Sequence, residues 1–194
     1  MSNIFFTADT HWGHKNILDY CERPFVDIDD HDETLIDNWN SVVNKNDIVY
    51  HLGDIAFKNS TSVRDLLLKL NGKKHLIMGN HDHKIRRIRN MSSYITTSDV
   101  KMLKLPNGKQ VFLSHYAHRV WPHSHHEVLH LYGHTHGDLT PIKNSIDVGI
   151  DGVAKWLGGK QCDYRPIEWK EVLEYIKYKQ TTDKDIEGQL KLWD

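Results

Sequence analysis

Fifteen histidines in 194 residues are the compositional feature from which a function can be argued, because imidazole is the commonest protein ligand for metal ions. Their placement matters more than their number. Asp9 and His11 close one apolar run, Asp54 follows a second, Asn80 and His81 a third, His115 a fourth, and His134 with His136 a fifth. Five strand ends converging on one rim would gather all eight side chains. Carboxylates, imidazoles and a carboxamide suit borderline divalent cations. A pair of such ions brings about four positive charges into a small space. Asp9 and Asp54 cancel half of that charge, and the neutral imidazoles and the Asn80 carboxamide leave the rest for a phosphate. In-line phosphoryl displacement favours ions roughly 3.5 to 4 Å apart, so one short side chain must lie between them. Asp54, directly after Gly53, is the candidate bridge.

The elements that must position these groups can be read from periodicity. Asn3 to Ala8, Asp47 to Leu52 and Lys74 to Met78 are short apolar runs of strand length, each followed at once by polar residues. Between them, a helix capped by Asp29 or Asp30 runs to about Asn44 with Leu35, Ile36, Trp39, Val42 and Val43 on one face. A second helix opens at Ser60 or Thr61, carries the stripe Val63, Leu66, Leu67 and Leu70, and ends at Asn71 and Gly72. Val100 to Leu105 and Gln110 to Ser114 flank Pro106, Asn107 and Gly108, the chemistry of a hairpin. Val128 to Tyr132 and Ser145 to Gly149 are further strands. Trp169, Val172, Leu173 and Ile176 make a closing amphipathic helix. Strands alternating with helices and then a hairpin predict an α/β fold, a mixed sheet covered by helices and folded into two stacked layers. Ligands in such folds collect beyond the carboxyl ends of the strands.

No repeat, linker or low-complexity tract divides the chain. The expectation is one domain over residues 1–180 and a polar tail over 181–194. No stretch approaches the roughly 20 apolar residues of a membrane span, and the first residues lack the pattern of a secretory signal. Cys21 and Cys162 are too few for a disulfide framework. The chain therefore reads as cytoplasmic, with buried packing expected of both cysteines. Twenty-five basic against 26 acidic side chains give a net charge of −1, which disfavours long nucleic acid as a partner relative to a small phosphate ester or nucleotide. Ligands spread over more than half the chain, without paired cysteines, disfavour a zinc-finger-type structural site.

In order along the chain stand DTH (9–11), GD (53–54), GNHD (79–82), a lone His115 and GHTH (133–136). These blocks resemble the calcineurin-like metallophosphoesterase superfamily. The resemblance implies a four-layer α/β sandwich, two stacked mixed β-sheets flanked by helices. It also implies that Asp9, His11, Asp54 and His136 hold one metal ion, and Asp54, Asn80, His115 and His134 the other. His81 is then left free for catalysis. The DTHWGHKN opening and the late VGIDG and YRPI stretches look like short bacterial and phage members without a cap domain. The expected chemistry is attack on phosphorus by a hydroxide bridging the two ions, with His81 protonating the leaving oxygen. Mn²⁺ is the working choice of metal, with Fe, Zn or Ni as alternatives.

Around these blocks, Trp12 is read as a base-stacking or wall residue, and His14 and His118 as substrate contacts. Arg86 and Arg87, beside Lys84 and Arg89, are read as a fork for substrate phosphate or else a solvated face. His51, His75, His83, His123, His125 and His126 match no ligand position and are assigned to surface or supporting roles. Three other functions compete. A protein phosphatase of this superfamily carries GDxxDRG and GNHE where this chain has GDIAFKN and GNHD, a departure that removes the usual carboxylate partner of the catalytic histidine. A nuclease is the second, and a non-catalytic metal-binding scaffold on the same fold is the third.

Overall fold

The computed structural model describes residues 2–57, 60–83, 85, 95–142 and 144–190, with the side chains of 60, 61, 95 and 180–190 outside the description. Four parallel strands form the frame of the first sheet: β1 (Ile4–Thr7), β2 (Ile48–His51), β3 (Lys73–Ile77) and β4 (Ile95–Ser98). A two-residue strand, β9 (Ile167–Glu168), is added antiparallel to β1, giving the order β4-β3-β2-β1-β9. The second sheet has the order β5-β6-β7-β8, from Val100–Lys104, Gln110–Ser114, Leu129–Tyr132 and Ser145–Asp147. Its β5–β6 pair is antiparallel and the remainder parallel. Both sheets are therefore mixed, and helices flank them: the fold is α/β, as expected.

Side-chain alternation explains why the first sheet lies in the middle. Phe5, Val49 and Leu76 point to one face, where they pack with Leu35 and Trp39 of α2 (Ile28–Val42), with Leu66 and Leu67 of α3 (Ser60–Lys69) and with Leu70 just after it. Phe6, Tyr50 and Ile77, one residue further along each strand, point the other way and meet Val111, Leu113, Leu131 and Ile146 of the second sheet. A strand reverses its side-chain direction at every residue, so a sheet apolar on both faces must be covered on both. Truncating a fully buried residue such as Leu67 to Ala is worth about 2–5 kcal/mol.

Several elements differ from expectation. The cap of α2 is Asp27, whose carboxylate accepts from the Asp29 and Asp30 N–H groups. The expected caps are thus in the first turn, where their charge suits the helix dipole. Strands β4 and β9, and helices α1 (Ile17–Tyr20) and α4 (Ile150–Leu157), were not read from sequence. The closing helix α5 spans Trp169–Leu190 and so runs into the stretch expected to be tail. No helix among the described residues is long and apolar enough to cross a membrane.

Candidate metal centre

The backbone is unusual where the expected ligands lie. Asp9, His11, Asp54, His134 and His136 all take left-handed conformations, with φ between 51° and 72°. Such φ values are uncommon for residues other than glycine and cost energy, so their concentration marks a locally over-determined site. Hydrogen bonds hold these turns in place. Asp9 N–H donates to Gly53 O (2.9 Å), His11 N–H to Asp54 O (3.1 Å) and Trp12 N–H to Ile55 O (3.0 Å). The loops after β1 and β2 are thereby zipped together beyond the strands. Gly133 N–H donates to His115 O (3.0 Å), extending the β6–β7 pairing of the second sheet, and Ile150 N–H donates to Ala8 O (3.1 Å), which ties the two sheets together at the same end. Gly53 has no room for a side chain: a Cβ there would lie 2.5 Å from His115 Nδ1.

The expected ligands fall into two groups. The ligand atoms of Asp9, His11 and His136 lie within 4.8 Å of one another, and so do those of Asp54, His115 and His134. Asp54 faces both groups, with one oxygen 3.7 Å from His11 Nε2 and the other 3.5 Å from His115 Nε2. Asn80 joins the second group through Oδ1, 2.9 Å from His115 Nε2. All seven expected ligands are thus brought together.

Their chemistry fits a cation. His115 Nδ1 donates to Leu52 O (2.7 Å), so its Nε2 lone pair confronts the Asn80 and Asp54 oxygens. Acceptors converging on one point need a proton or a metal ion between them. His11 is buried with neither ring nitrogen hydrogen-bonded, and burial lowers its pKa to about 2. It is a neutral imidazole with a free lone pair. Burial and the nearby Asp147 carboxylate push Asp9 well above the usual carboxylate range, a penalty that a bound cation offsets. Burial pushes Asp54 up as well, but its interactions with His115 and the His81 N–H outweigh this and hold it at about 2. These His and Asp groups could hold a metal ion.

Behind the first group lies a buried polar network that the sequence did not announce. Arg23 sends Nε and an Nη to the two oxygens of Asp151 (both 2.8 Å) and reaches Asp9 O (2.7 Å), Thr10 O (3.0 Å) and His31 Nε2 (2.9 Å). Because Arg23 donates to Nε2, His31 carries its proton on Nδ1 and passes it toward Asp32 Oδ1 (3.0 Å), which also accepts from Gly13 N–H. Asp151 in turn receives His136 Nδ1 at 2.6 Å. Burial raises the Asp151 pKa, but Arg23 and His136 overcome it and hold the group well below the carboxylate range. Burial lowers His136, but the Asp151 and Cys21 hydrogen bonds raise it to about 11. A carboxylate on one imidazole nitrogen orients the other toward a metal. Cys21 Sγ lies 3.3 Å from the same Nδ1. Cys21 is thus half-buried beside the site and Cys162 is exposed, so neither is the buried packing residue expected.

The second group is braced differently. Asp82, fully buried, accepts from Gly79 and Asp54 N–H through one oxygen (both 2.8 Å) and from Ile55 N–H through the other (3.0 Å). Asp147 similarly accepts from Thr135, Gly137 and Gly149 and fastens the GHTH loop to the end of β8. The signal available for Asp82 was its place in the GNHD block. Nothing in the sequence pointed to Arg23.

His81 sits at the rim, its ring 42% exposed and Nε2 3.8 Å from Asp54 Oδ2. His14 is near His11, with centroids 5.5 Å apart. His118 lines a cavity of about 350 Å³ beside Asn80, His115 and Tyr116. Trp12 corrects an expectation: it is 0% exposed and packs against Trp39 and His51 in the core, with no face for a substrate base. His51 is likewise buried, its Nε2 2.8 Å from the Thr10 hydroxyl, which donates to Ile55 O. Arg86 and Arg87, with Lys84 and Arg89, lie outside the described residues.

No family model matches the chain. It is 31% identical over 179 residues to the uncharacterized protein MJ1445 of Methanocaldococcus jannaschii, covering 91% of this chain and 93% of that one. The gene 66 proteins of Mycobacterium phages L5 and D29 are 30% and 31% identical, over 78% of this chain and 87% and 89% of theirs. Among solved structures, the protein of unknown function AQ665 from Aquifex aeolicus superposes with a TM-score of 0.63 at 23% identity, covering 90% of this chain and all of that one. This last is a likeness of fold.

Proposed function

We propose that this chain, which belongs to the family of the Methanocaldococcus jannaschii protein and the gene 66 proteins of the two Mycobacterium phages, is a metal-dependent phosphoesterase. Its substrate is a small phosphodiester or phosphomonoester, a nucleotide among them. The observation that carries the reading is the position of Asp54, with one carboxylate oxygen toward each donor group. A single short side chain serving two groups is what a dinuclear centre needs. Asp9, His11, Asp54 and His136 would hold one ion, and Asp54, Asn80, His115 and His134 the other, with Mn²⁺ first among the candidates. In this reading the stacked sheets and their helices are the four-layer sandwich of the calcineurin-like metallophosphoesterases.

Bound there, two divalent cations supply Lewis acidity toward phosphoryl oxygens and acidify a water molecule near neutral pH. The protein's own part is positional and protonic. Two carboxylates against five neutral donors keep the site positive toward phosphate. Arg23 and Asp151 fix the His136 ring, and Asp82 fixes the turns bearing Asp54 and Asn80. As water oxygen bonds to phosphorus and the ester P–O bond breaks, His81 gives its proton to the leaving oxygen and is reprotonated by solvent.

The test is hydrolysis of bis(p-nitrophenyl) phosphate and p-nitrophenyl phosphate by metal-stripped protein before and after Mn²⁺ addition, with Asp54→Asn and His81→Ala alongside. Turnover restored by Mn²⁺ and lost in both variants is expected. Absence of turnover with two metals bound per chain would leave the scaffold reading instead.

A further inference from the structure

In the proposed reaction His81 must present a proton at one place, yet no hydrogen bond among the described residues reaches its ring. Its main-chain N–H donates to Asp54 Oδ1 (3.0 Å), which fixes the backbone. The nearest oxygen to the ring, Asp54 Oδ2, is 3.8 Å from Nε2 and outside hydrogen-bonding distance. An imidazole at the rim with nothing beside it would exchange between staggered rotamers.

What lies beside it is an aromatic ring. Phe57 and His81 have centroids 4.7 Å apart at an interplanar angle of 41°, closer than the 5.8 Å between His81 and His11. Phe57 is itself clamped. Its N–H donates to Trp12 O (2.9 Å), extending the pairing of Trp12 with Ala56. Its ring stacks on His14 at 3.9 Å and 10°. Phe57 is 43% exposed and belongs to neither large core cluster, so core packing does not account for a large apolar ring at a polar rim. An aromatic neighbour confines the imidazole without competing for its proton.

We infer that Phe57, backed by His14, is the positioning residue that holds His81 in the rotamer from which it protonates the leaving oxygen. This rests on the phosphoesterase reading for its purpose, though not for its geometry. The experiment uses the full chain, histidine-labelled with ¹³C and ¹⁵N, metal-free and with Zn²⁺ added, as wild type, Phe57→Tyr and Phe57→Leu. Leu keeps an apolar side chain of nearly the same bulk, so the fold is retained. Three-bond couplings should report one His81 χ1 rotamer in wild type and Phe57→Tyr and averaging in Phe57→Leu.

With Mn²⁺, Phe57→Leu should lose about tenfold more rate on phenyl phosphate than on p-nitrophenyl phosphate, because only the poorer leaving group needs the proton. Phe57→Tyr should restore the ratio. A single His81 rotamer in Phe57→Leu would overturn the inference whatever the rates. Absence of turnover by the wild type would instead sink the phosphoesterase reading, while the couplings would still decide the role of Phe57.

Discussion

The two halves of the candidate centre reach similar donor geometry by opposite means. The half built on Asp9, His11 and His136 is braced by long side chains, an Arg23–Asp151 pair buried behind it and His31 and Asp32 behind that. The half built on Asp54, Asn80, His115 and His134 is braced by main chain: Leu52 O orients His115, and the N–H groups gathered by Asp82 shape the turns. A charged side-chain brace works only while both partners are present. A brace of backbone groups depends on the close approach of the turns that carry them. The first half should therefore fail through a charge change far from the ion, and the second through a change at the turn itself.

The largest expected effect erases the comparison by striking the shared residue. Asp54→Asn should lower Mn²⁺-dependent turnover on the order of 10³-fold, since several kcal/mol of charge stabilisation depend on the paired ions. Steady-state rates at saturating Mn²⁺ measure it. Next comes Arg23→Met, which leaves the Asp151 carboxylate buried without its guanidinium partner and should cost about 3–5 kcal/mol of stability. Chemical denaturation of the metal-free chain reads that loss.

The comparison is sharpened by a pair of milder changes. Asp151→Asn should weaken one Mn²⁺ by roughly 10- to 100-fold and spare the other, and Asp82→Asn should do the reverse. Calorimetric titration resolves the two binding steps, and equal weakening of both by either variant would show that the halves are not separately braced. The smallest effect lies away from the site. Burial raises the Glu171 pKa, but the hydrogen bonds from Arg165 and from Glu168 N–H bring it below the usual value. A lowered carboxylate pKa stabilises the fold above the ordinary glutamate range and loses that contribution as pH falls through the folded-state value. With the pair partly exposed, Glu171→Gln should cost only about 0.2–1 kcal/mol at neutral pH and nothing in acid, as denaturation at both pH values would show.

The ligands were legible because each follows an apolar run of strand length, so sequence order alone put them at strand ends. Their bracing was not. Arg23 and Asp151 are 128 residues apart, and neither lies in a pattern that betrays a partner. Asp27 rather than Asp29 caps α2 because capping depends on the extended backbone of one residue among several acidic neighbours. Trp12 was misplaced for a geometrical reason: it follows His11 directly, but the left-handed turn at His11 separates the directions of the two side chains. His11 joins the buried donor group and Trp12 packs in the core against Trp39 and His51. The short β9 became a strand only through its pairing with β1, which local periodicity cannot supply.

The central claim is that Asp54 joins two ion sites into one centre. Electron paramagnetic resonance of the chain titrated with Mn²⁺ tests it most directly. At two ions per chain the wild type should give a spin-coupled spectrum, and Asp54→Asn should give the spectrum of isolated Mn²⁺. Isolated ions in the fully loaded wild type, or loading that stops at one ion per chain, would contradict the account.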